Sequence, residues 1–442
     1  MKVIGVIRHS PRRRVNREEF EELLTSAGYE VLEIVEQVRE ESPRYNIGRG
    51  KLEEIKRLVE ELKPDKVVFA NRLTPSQAYN LWKELKVEVI DRWQLVLEIF
   101  ERRAHSKEAK LQVELAGLHY EVPLVKEAIR RVKLGDRAGF KGMGDYQTRQ
   151  YLKHIRYRIN RIRKELEKVR RDREVRRKRR EKLGFILVAL AGYTNAGKST
   201  LLNALAGEEK EAKDAMFTTL DTTTRRFELG NKRILVTDTV GFIDGLPPFI
   251  VEAFHSTLEE IVEADVILLV VDVSEPWREV RRKLLASLNV LRELKTLDRP
   301  MVVVLNKTDL TTPEDVMDKA EKIRELLEER DVGAFDVVAI SAKLKRMEEL
   351  YRSLEGIVPK LPKYAPFEIT AMDPEEVPRL MALINSIGDV MEVEYREKTR
   401  IRARIQTGMI KELAKLNVEI RRLNHPHQSE EPEDDEGDED GR

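Results

Sequence analysis

The sequence predicts an α/β protein in three parts: an N-terminal α/β domain bearing a long helical hairpin, a phosphate-loop domain with a mixed, mostly parallel sheet, and a small C-terminal α+β domain. Three observations carry this reading. Short apolar runs alternate with amphipathic stretches over residues 1–103 and 184–358. A glycine loop stands between an apolar strand and a helix at residues 192–199. Residues 104–183 read as helix throughout, apart from one cluster of glycines.

In the N-terminal part, strands are expected at Lys2 to Ile7, Glu30 to Val38, Lys66 to Ala70 and Val87 to Ile90. Helices are expected at Arg17 to Ala27, Leu52 to Leu62, Pro75 to Leu85 and Asp91 to Arg103. The Asn46-Ile47-Gly48-Arg49-Gly50-Lys51 segment precedes a helix but lacks phosphate-loop spacing, so it reads as a plain turn. A helical pattern then runs from about Ala104 to Leu134, breaks at Gly135, Gly139, Gly142 and Gly144, and resumes from about Tyr146 to Lys182. The second arm is basic: residues 149–182 hold 17 Lys and Arg against 5 Asp and Glu, a net of +12. A helix that only faced solvent would balance its signs to gain i,i+4 pairs, so this arm is expected to bind a polyanion. Arg149, Arg156, Arg163, Arg170 and Arg177, with Arg137 and Lys141 in the glycine tip, are the expected RNA contacts.

The phosphate-loop domain, residues 184–358, carries near its start Gly192-Tyr193-Thr194-Asn195-Ala196-Gly197-Lys198-Ser199-Thr200. Glycines let backbone N–H groups turn toward phosphates, the helix start adds partial positive charge, Lys198 reaches the outer phosphates, and the Ser199 hydroxyl is placed to ligate Mg²⁺. Phe217-Thr218-Thr219-Leu220-Asp221 follows, with Thr218 and Thr219 rival second Mg²⁺ ligands. Asp238-Thr239-Val240-Gly241 ends a strand: Asp238 is suited to hold Mg²⁺ through a water, and Gly241 N–H to approach the γ-phosphate. The expected catalytic set is Lys198, Gly241 and either Thr218 or Thr219. At two further strand ends lie Asn306-Lys307-Thr308-Asp309 and Ser341-Ala342-Lys343. The Asp309 carboxylate can accept from N1–H and the exocyclic amine of guanine, Lys307 would cover the base, Asn306 would brace the loop, and Ala342 N–H would meet the guanine oxygen. GTP and GDP are the expected ligands. After Gly241 stands Phe242, then Ile243, where a signalling GTPase has a water-orienting glutamine, so slow unassisted hydrolysis is expected.

Residues 364–423 read as the small α+β domain. Its strands are expected at Phe367 to Met372, Val390 to Tyr395, Arg400 to Arg404 and Val418 to Arg422, its helices at Pro374 to Ile387 and Gly408 to Lys415. Residues 424–442 form an acidic tail, with nine acidic residues between Glu430 and Asp440, expected to be disordered. Lys and Arg (81) nearly cancel Asp and Glu (80), so charge is informative only locally. With no cysteine, disulfides and thiolate metal sites are excluded, and a cytoplasmic location is expected. The start reads as a strand rather than a signal peptide, and no apolar run approaches the roughly 20 residues of a membrane span.

Several segments together resemble the HflX family of ribosome-associated GTPases. They are Asn46 to Lys51, Leu73-Thr74-Pro75-Ser76-Gln77, Val89-Ile90-Asp91-Arg92, Arg103-Ala104 and Glu108 through Ala116, with the nucleotide segments at Gly192, Phe217 and Asp238. The resemblance implies a GTP-hydrolysing factor that binds the large ribosomal subunit and its rRNA, its N-terminal domain and hairpin reaching toward the peptidyl-transferase region. It implies dissociation or rescue of idle ribosomes, hydrolysis stimulated by the ribosome, Thr219 as the switch threonine on the Mg²⁺ side, and ATP binding at the N-terminal domain. A monomer is expected. Bacterial members carry Gly-Pro-Gly-Glu at the hairpin tip, where this chain has Gly142-Met143-Gly144-Asp145. The alternative reading is a GTPase switch whose partner is another RNA or a protein, with the hairpin as a general anchor.

Overall fold

The structure, a computed structural model, describes all residues except Arg13, 134–144, 208–222, Asn231, Gly245, Leu246, Ala334, Glu397 and 424–442. The glycine tip, the segment around Thr219 and the acidic tail therefore lie outside the described residues. The chain divides into two compact units: Met1–Arg177, Leu187–Phe227 and Leu235–Ser353 form the first; Lys178–Ile186, Glu228–Ile234 and Leu354–Arg442 form the second.

The first unit begins with β1 (Lys2–His9), α1 (Arg17–Ser26), β2 (Glu30–Val38), α2 (Arg49–Leu62), β3 (Lys66–Phe69), α3 (Pro75–Leu85), β4 (Glu88–Asp91) and α4 (Arg92–Arg103). The strands form a parallel sheet in the order β2-β1-β3-β4. Strand alternation sends successive β1 side chains to opposite faces. Val3 and Ile7 join Phe20, Leu23 and Leu24 of α1 and Val96, Ile99 and Phe100 of α4. Ile4 and Val6 join Leu52 and Ile55 of α2 and Leu81 and Leu85 of α3. Asp91, expected in the helix, is instead the last residue of β4 and the cap of α4. Its carboxylate accepts from the N–H groups of Trp93 (3.0 Å), Gln94 (3.1 Å) and Leu73 (3.1 Å), so one buried side chain joins the turn before α3 to the start of α4. Burial pushes the Asp91 pKa above the usual carboxylate range, against the pull of these donors. Of the Asn46–Lys51 segment only Asn46 to Gly48 is a turn, Asn46 accepting from Arg8 Nε at 3.1 Å and Gly48 N–H donating to Gln37 at 2.9 Å; Arg49 to Lys51, expected before the helix, already form the first turn of α2.

Next come α5 (Lys107–Lys133) and α6 (Asp145–Lys182). On α6 the buried positions Thr148, Ile155, Ile159 and Ile162 fall seven, four and three apart, the seam of a paired helix. They meet Leu111, Leu115 and Val125 of α5. Arg158 to Glu114 (2.5 Å) and Tyr151 to Glu121 (2.8 Å) show the two helices running antiparallel. Each buried isoleucine contributes about 1.5–3 kcal/mol, more than the surface ion pairs beside it.

The nucleotide domain contains β5 (Ile186–Gly192), α7 (Lys198–Ala206), β6 (Thr223–Leu229), β7 (Lys232–Asp238), α8 (Pro248–Ala253), α9 (His255–Val262), β8 (Val266–Asp272), α10 (Trp277–Glu293), β9 (Met301–Asn306), α11 (Pro313–Glu328), β10 (Phe335–Ala339) and α12 (Glu348–Ile357). Its sheet has the order β10-β9-β8-β5-β7-β6, with β10, β9, β8 and β5 parallel neighbours. These four strands are short and almost wholly apolar, as a sheet covered on both faces requires. Their carboxyl ends lie side by side.

The second unit contains β11 (Tyr364–Ala371), α13 (Val377–Ile387), β12 (Gly388–Glu394), β13 (Arg400–Gln406), α14 (Ile410–Leu413) and β14 (Val418–Arg422), in an antiparallel sheet of order β12-β13-β11-β14. Its core is Phe367, Ile369, Leu380, Ile384, Ile401, Ala403 and Ile405. The helix expected at Gly408 to Lys415 is a 3₁₀ turn, Thr407–Met409, followed by the single turn α14. The helix expected from Pro374 starts as a 3₁₀ turn, Pro374–Glu376, capped by the Asp373 side chain; the α-helix begins at Val377.

Candidate nucleotide site

Gly192 ends β5 and the loop after it wraps into α7. Asn195 takes a left-handed backbone (φ 62°), as does Gly197 (φ 89°). Gly197 also admits no side chain, since a Cβ there would lie 2.3 Å from Asn306 Nδ2. Asn306, 2% exposed at the end of β9, uses that closeness: Nδ2 donates to Ala196 O at 3.0 Å, and Oδ1 accepts from Ala342 N–H at 3.1 Å. One side chain thus ties the phosphate loop to both base-reading segments. Ala342 N–H, expected to meet the guanine oxygen, donates here to Asn306.

Lys198 is buried, its ammonium donating to Gly192 O (3.1 Å) and Tyr193 O (2.8 Å). Burial pushes its pKa down to about 8, although the Asp238 charge pulls it upward. Ser199 Oγ donates to Asp238 Oδ2 at 2.7 Å, placing a hydroxyl beside a buried carboxylate. Two hard oxygen donors at a helix start suit Mg²⁺, which takes few protein ligands and keeps several waters.

A Cβ at Gly241 would lie 2.9 Å from Thr194 Cγ2 and 3.1 Å from Lys198 Nζ, so the backbone at 241 approaches the lysine with nothing between. Thr239 turns inward, its hydroxyl donating to Leu190 O at 2.6 Å, and Val240 is buried. Phe242 is 1% exposed; its N–H donates to Gly192 O (3.0 Å) and its C=O accepts from Thr194 N–H (2.9 Å). It bolts the loop after β7 to the phosphate loop, and its ring belongs to the core.

At the base end, Asp309 accepts from Ser341 Oγ at 2.5 Å and Thr308 Oγ1 donates to Ile340 O at 3.0 Å. Lys307, left-handed at φ 67°, pairs with Asp272 at 2.7 Å. Lys343 is exposed and Thr200 lies in the first turn of α7. The structure therefore brings together Gly192, Tyr193, Ala196, Gly197, Lys198, Ser199, Asp238 and Gly241, and separately Asn306, Asp309, Ser341 and Ala342, with Asn306 common to both. Phe217, Thr218, Thr219, Leu220 and Asp221 lie outside the described residues, as do Arg137 and Lys141 and the side chain of Arg177. Arg149 and Arg156 are exposed on α6, Arg163 Nη2 lies 3.5 Å from His119 Nε2, and Arg170 pairs with Glu259 at 2.9 Å.

Sequence reasoning missed Asp272, which ends β8 and neutralises Lys307. It also missed the environment of the Tyr193 side chain. The Tyr193 ring is 3% exposed and its hydroxyl donates to Glu19 of α1 at 2.8 Å, beside Arg282 of α10. An aromatic residue at the second position of a phosphate loop was the available signal.

Away from this site, a cleft of about 1090 Å³ lies between α3, β4, α4 and α5, with Tyr79, Trp82, Leu97 and Leu118 among its lining residues. Five glutamates but only two lysines face it. Among the described residues no helix is long and apolar enough to cross a membrane.

Comparison with known proteins places the chain in a family. Residues 15–101 match the family described as GTP-binding GTPase N-terminal, residues 103–180 its middle region, and residues 187–307 the family described as 50S ribosome-binding GTPase. A GTPase HflX of Thermococcus kodakarensis is 71% identical over 441 residues, spanning 100% of both chains. One from Methanocaldococcus jannaschii is 46% identical over 332 residues, 75% of this chain and 80% of that protein. A GTP-binding protein from Sulfolobus solfataricus, solved with GDP, is 30% identical and aligns at a TM-score of 0.45 over 81% of this chain and 99% of its own.

Proposed function

We propose that this chain, which belongs to the HflX family of GTPases and hydrolyses GTP to GDP and phosphate, does so as a cytoplasmic, monomeric factor on the large ribosomal subunit. The exposed basic face of α6 carries this reading. Over residues 149–182 Lys and Arg outnumber Asp and Glu by 12, and rRNA would supply counter-charge. Arg156 stands exposed on that face, while Arg170 is shared with Glu259.

In this reading each residue has a role. Lys198 and the start of α7 hold the β- and γ-phosphates; Ser199 and Asp238, with Thr219 from the switch segment, would hold Mg²⁺, which neutralises phosphate charge when bound. Gly241 N–H meets the γ-phosphate, and Asp309 reads guanine. Phe242, packed in the core, has no means of orienting water, so basal hydrolysis is slow and the ribosome supplies the missing organisation. Release or rescue of idle ribosomes follows if the GTP form grips the subunit and the GDP form lets go.

Co-sedimentation with large subunits in a GTP analogue and in GDP, across a salt series, tests the reading, together with single-turnover hydrolysis with and without subunits. Nucleotide-dependent binding with a steep salt slope and stimulated hydrolysis are expected. Binding indifferent to nucleotide would overturn it, as would a fast basal rate with no stimulation; preference for an unrelated RNA would favour the alternative switch.

A further inference from the structure

The N-terminal domain enters the nucleotide site at one buried carboxylate. Glu19 of α1, 7% exposed, accepts from the Tyr193 hydroxyl (2.8 Å), from Arg92 Nη2 (2.6 Å) and from Arg282 Nη2 (3.0 Å). Arg282 reaches further. Its Nη1 donates to the Tyr193 hydroxyl at 3.1 Å and pairs with the Asp244 carboxylate, while Nε donates to Glu279 at 2.9 Å. The guanidinium also lies 5.3 Å from the centre of the Tyr193 ring. Asp244 N–H closes the group by donating to the Tyr193 hydroxyl at 3.1 Å. One arginine therefore serves a carboxylate of the N-terminal domain and a carboxylate three residues beyond Gly241.

Two properties make this more than a structural clamp. Tyr193 faces both ways: its backbone oxygen accepts from Lys198 Nζ while its hydroxyl accepts and donates within the Glu19 group. And Glu19 and Asp244 compete for one guanidinium whose fork spans both only while Asp244 stays close. Phe242, between Gly241 and Asp244, is bonded to the phosphate loop through both its N–H and its C=O, and Ile243 is buried, so a shift of Gly241 toward a γ-phosphate would carry this whole segment, Asp244 included. Weakening that pair leaves the arginine charge more fully to Glu19.

We propose that Arg282 is a positioning residue for GTP hydrolysis, setting the resting place of the segment after Gly241 according to how firmly the N-terminal domain holds it through Glu19. Removal of the Glu19 charge shifts Arg282 onto Asp244 and holds that segment back from the γ-phosphate. Neutralising Asp244 releases it. The N-terminal domain is thereby coupled to hydrolysis through four side chains rather than through a diffuse interface. This deepens the function proposed above and rests on Gly241 reading the γ-phosphate.

The test uses full-length Glu19→Gln, Asp244→Asn and the double variant, each near-isosteric, with thermal melting as a check on folding. Single-turnover kcat and the ratio of GTP-analogue to GDP affinity are measured. Asp244→Asn should raise kcat several-fold and favour the GTP analogue; Glu19→Gln should lower both; the double variant should match Asp244→Asn alone. Arg282→Lys, able to hold one carboxylate but not fork across two, should erase the effect of adding Glu19→Gln. Effects that multiply independently, or melting shifts with kcat and the affinity ratio unmoved, overturn the proposal. Gly241→Ala separates the two levels: unchanged hydrolysis there overturns the reading of the γ-phosphate itself, whereas lost hydrolysis with no response to Glu19 and Asp244 overturns only the link.

Discussion

Asn306→Ala offers the sharpest test of how the site is built. The substitution removes a donor from Ala196 O and an acceptor from Ala342 N–H, leaving two buried backbone groups without those partners. An orphaned buried group costs about 1–3 kcal/mol, and nucleotide or water can compensate one of the two, so about 1–3 kcal/mol of site organisation is lost. At about 1.4 kcal/mol per factor of ten, GDP and GTP affinities should fall roughly 5- to 140-fold. Because neither bond touches phosphate or base directly, both nucleotides should weaken alike. Asn306→Asp sharpens the point: it keeps the acceptor for Ala342 N–H but turns a carboxylate toward Ala196 O, so it should bind no better than Asn306→Ala. Titration with a fluorescent guanine nucleotide reads the affinities, and thermal melting confirms folding. Affinity within threefold of the unaltered chain, or an Asp variant clearly tighter than the Ala variant, would refute the assignment.

Other consequences are equally direct. Lys198 has a pKa of about 8 in its buried setting, and triphosphate beside it raises that value, so nucleotide binding takes up a proton above that pH. Affinity should be flat below it and fall by up to about tenfold per unit above it, measured by pH-dependent titration and abolished in Lys198→Met. Asp309→Asn should exchange guanine for xanthine preference; retained GTP affinity in a competition assay would rule out Asp309 as the base reader. Arg156→Glu on the exposed face of α6 should reduce the salt dependence of subunit binding by about two contacts without altering basal hydrolysis, whereas an unchanged slope would remove it from the RNA-facing set. Ile159→Ala, buried in the α5–α6 seam, should destabilise the hairpin by about 2–5 kcal/mol, read from local hydrogen exchange.

What could be read from the sequence was whatever is local. Lys198, Ser199, Asp238, Asn306 and Asp309 each stand at or just past the end of an apolar strand, and parallel pairing of such strands gathers their ends without further information. The seam of α6 was likewise written in its spacing. Contacts that depend on which surfaces of distant segments meet left no local trace: Tyr193 finds Glu19 across 174 residues and Arg282 across 89. Lys307 was expected over the base, but its pairing with Asp272 needed the register of β8 against β9. The helix expected from Pro374 stands over Val377–Ile387, with only its first three residues in 3₁₀ geometry under the Asp373 cap, whereas at Gly408 a 3₁₀ turn and the single turn of α14 replace a longer helix.

The Arg170–Glu259 pair fastens α6 to α9 some 25 residues from Asp145, a distance of about 38 Å along a helix at 1.5 Å per residue. If the α5–α6 pair tips as one body about that contact, it behaves as a pointer. Tipping it by about 5° at the pin carries its free end roughly 3 Å, about the reach that separates a direct hydrogen bond from none. Small rearrangements beside α9 would thus be magnified at the opposite extremity, and shortening α5 and α6 by matched seven-residue steps should shrink that throw in proportion while preserving their shared seam.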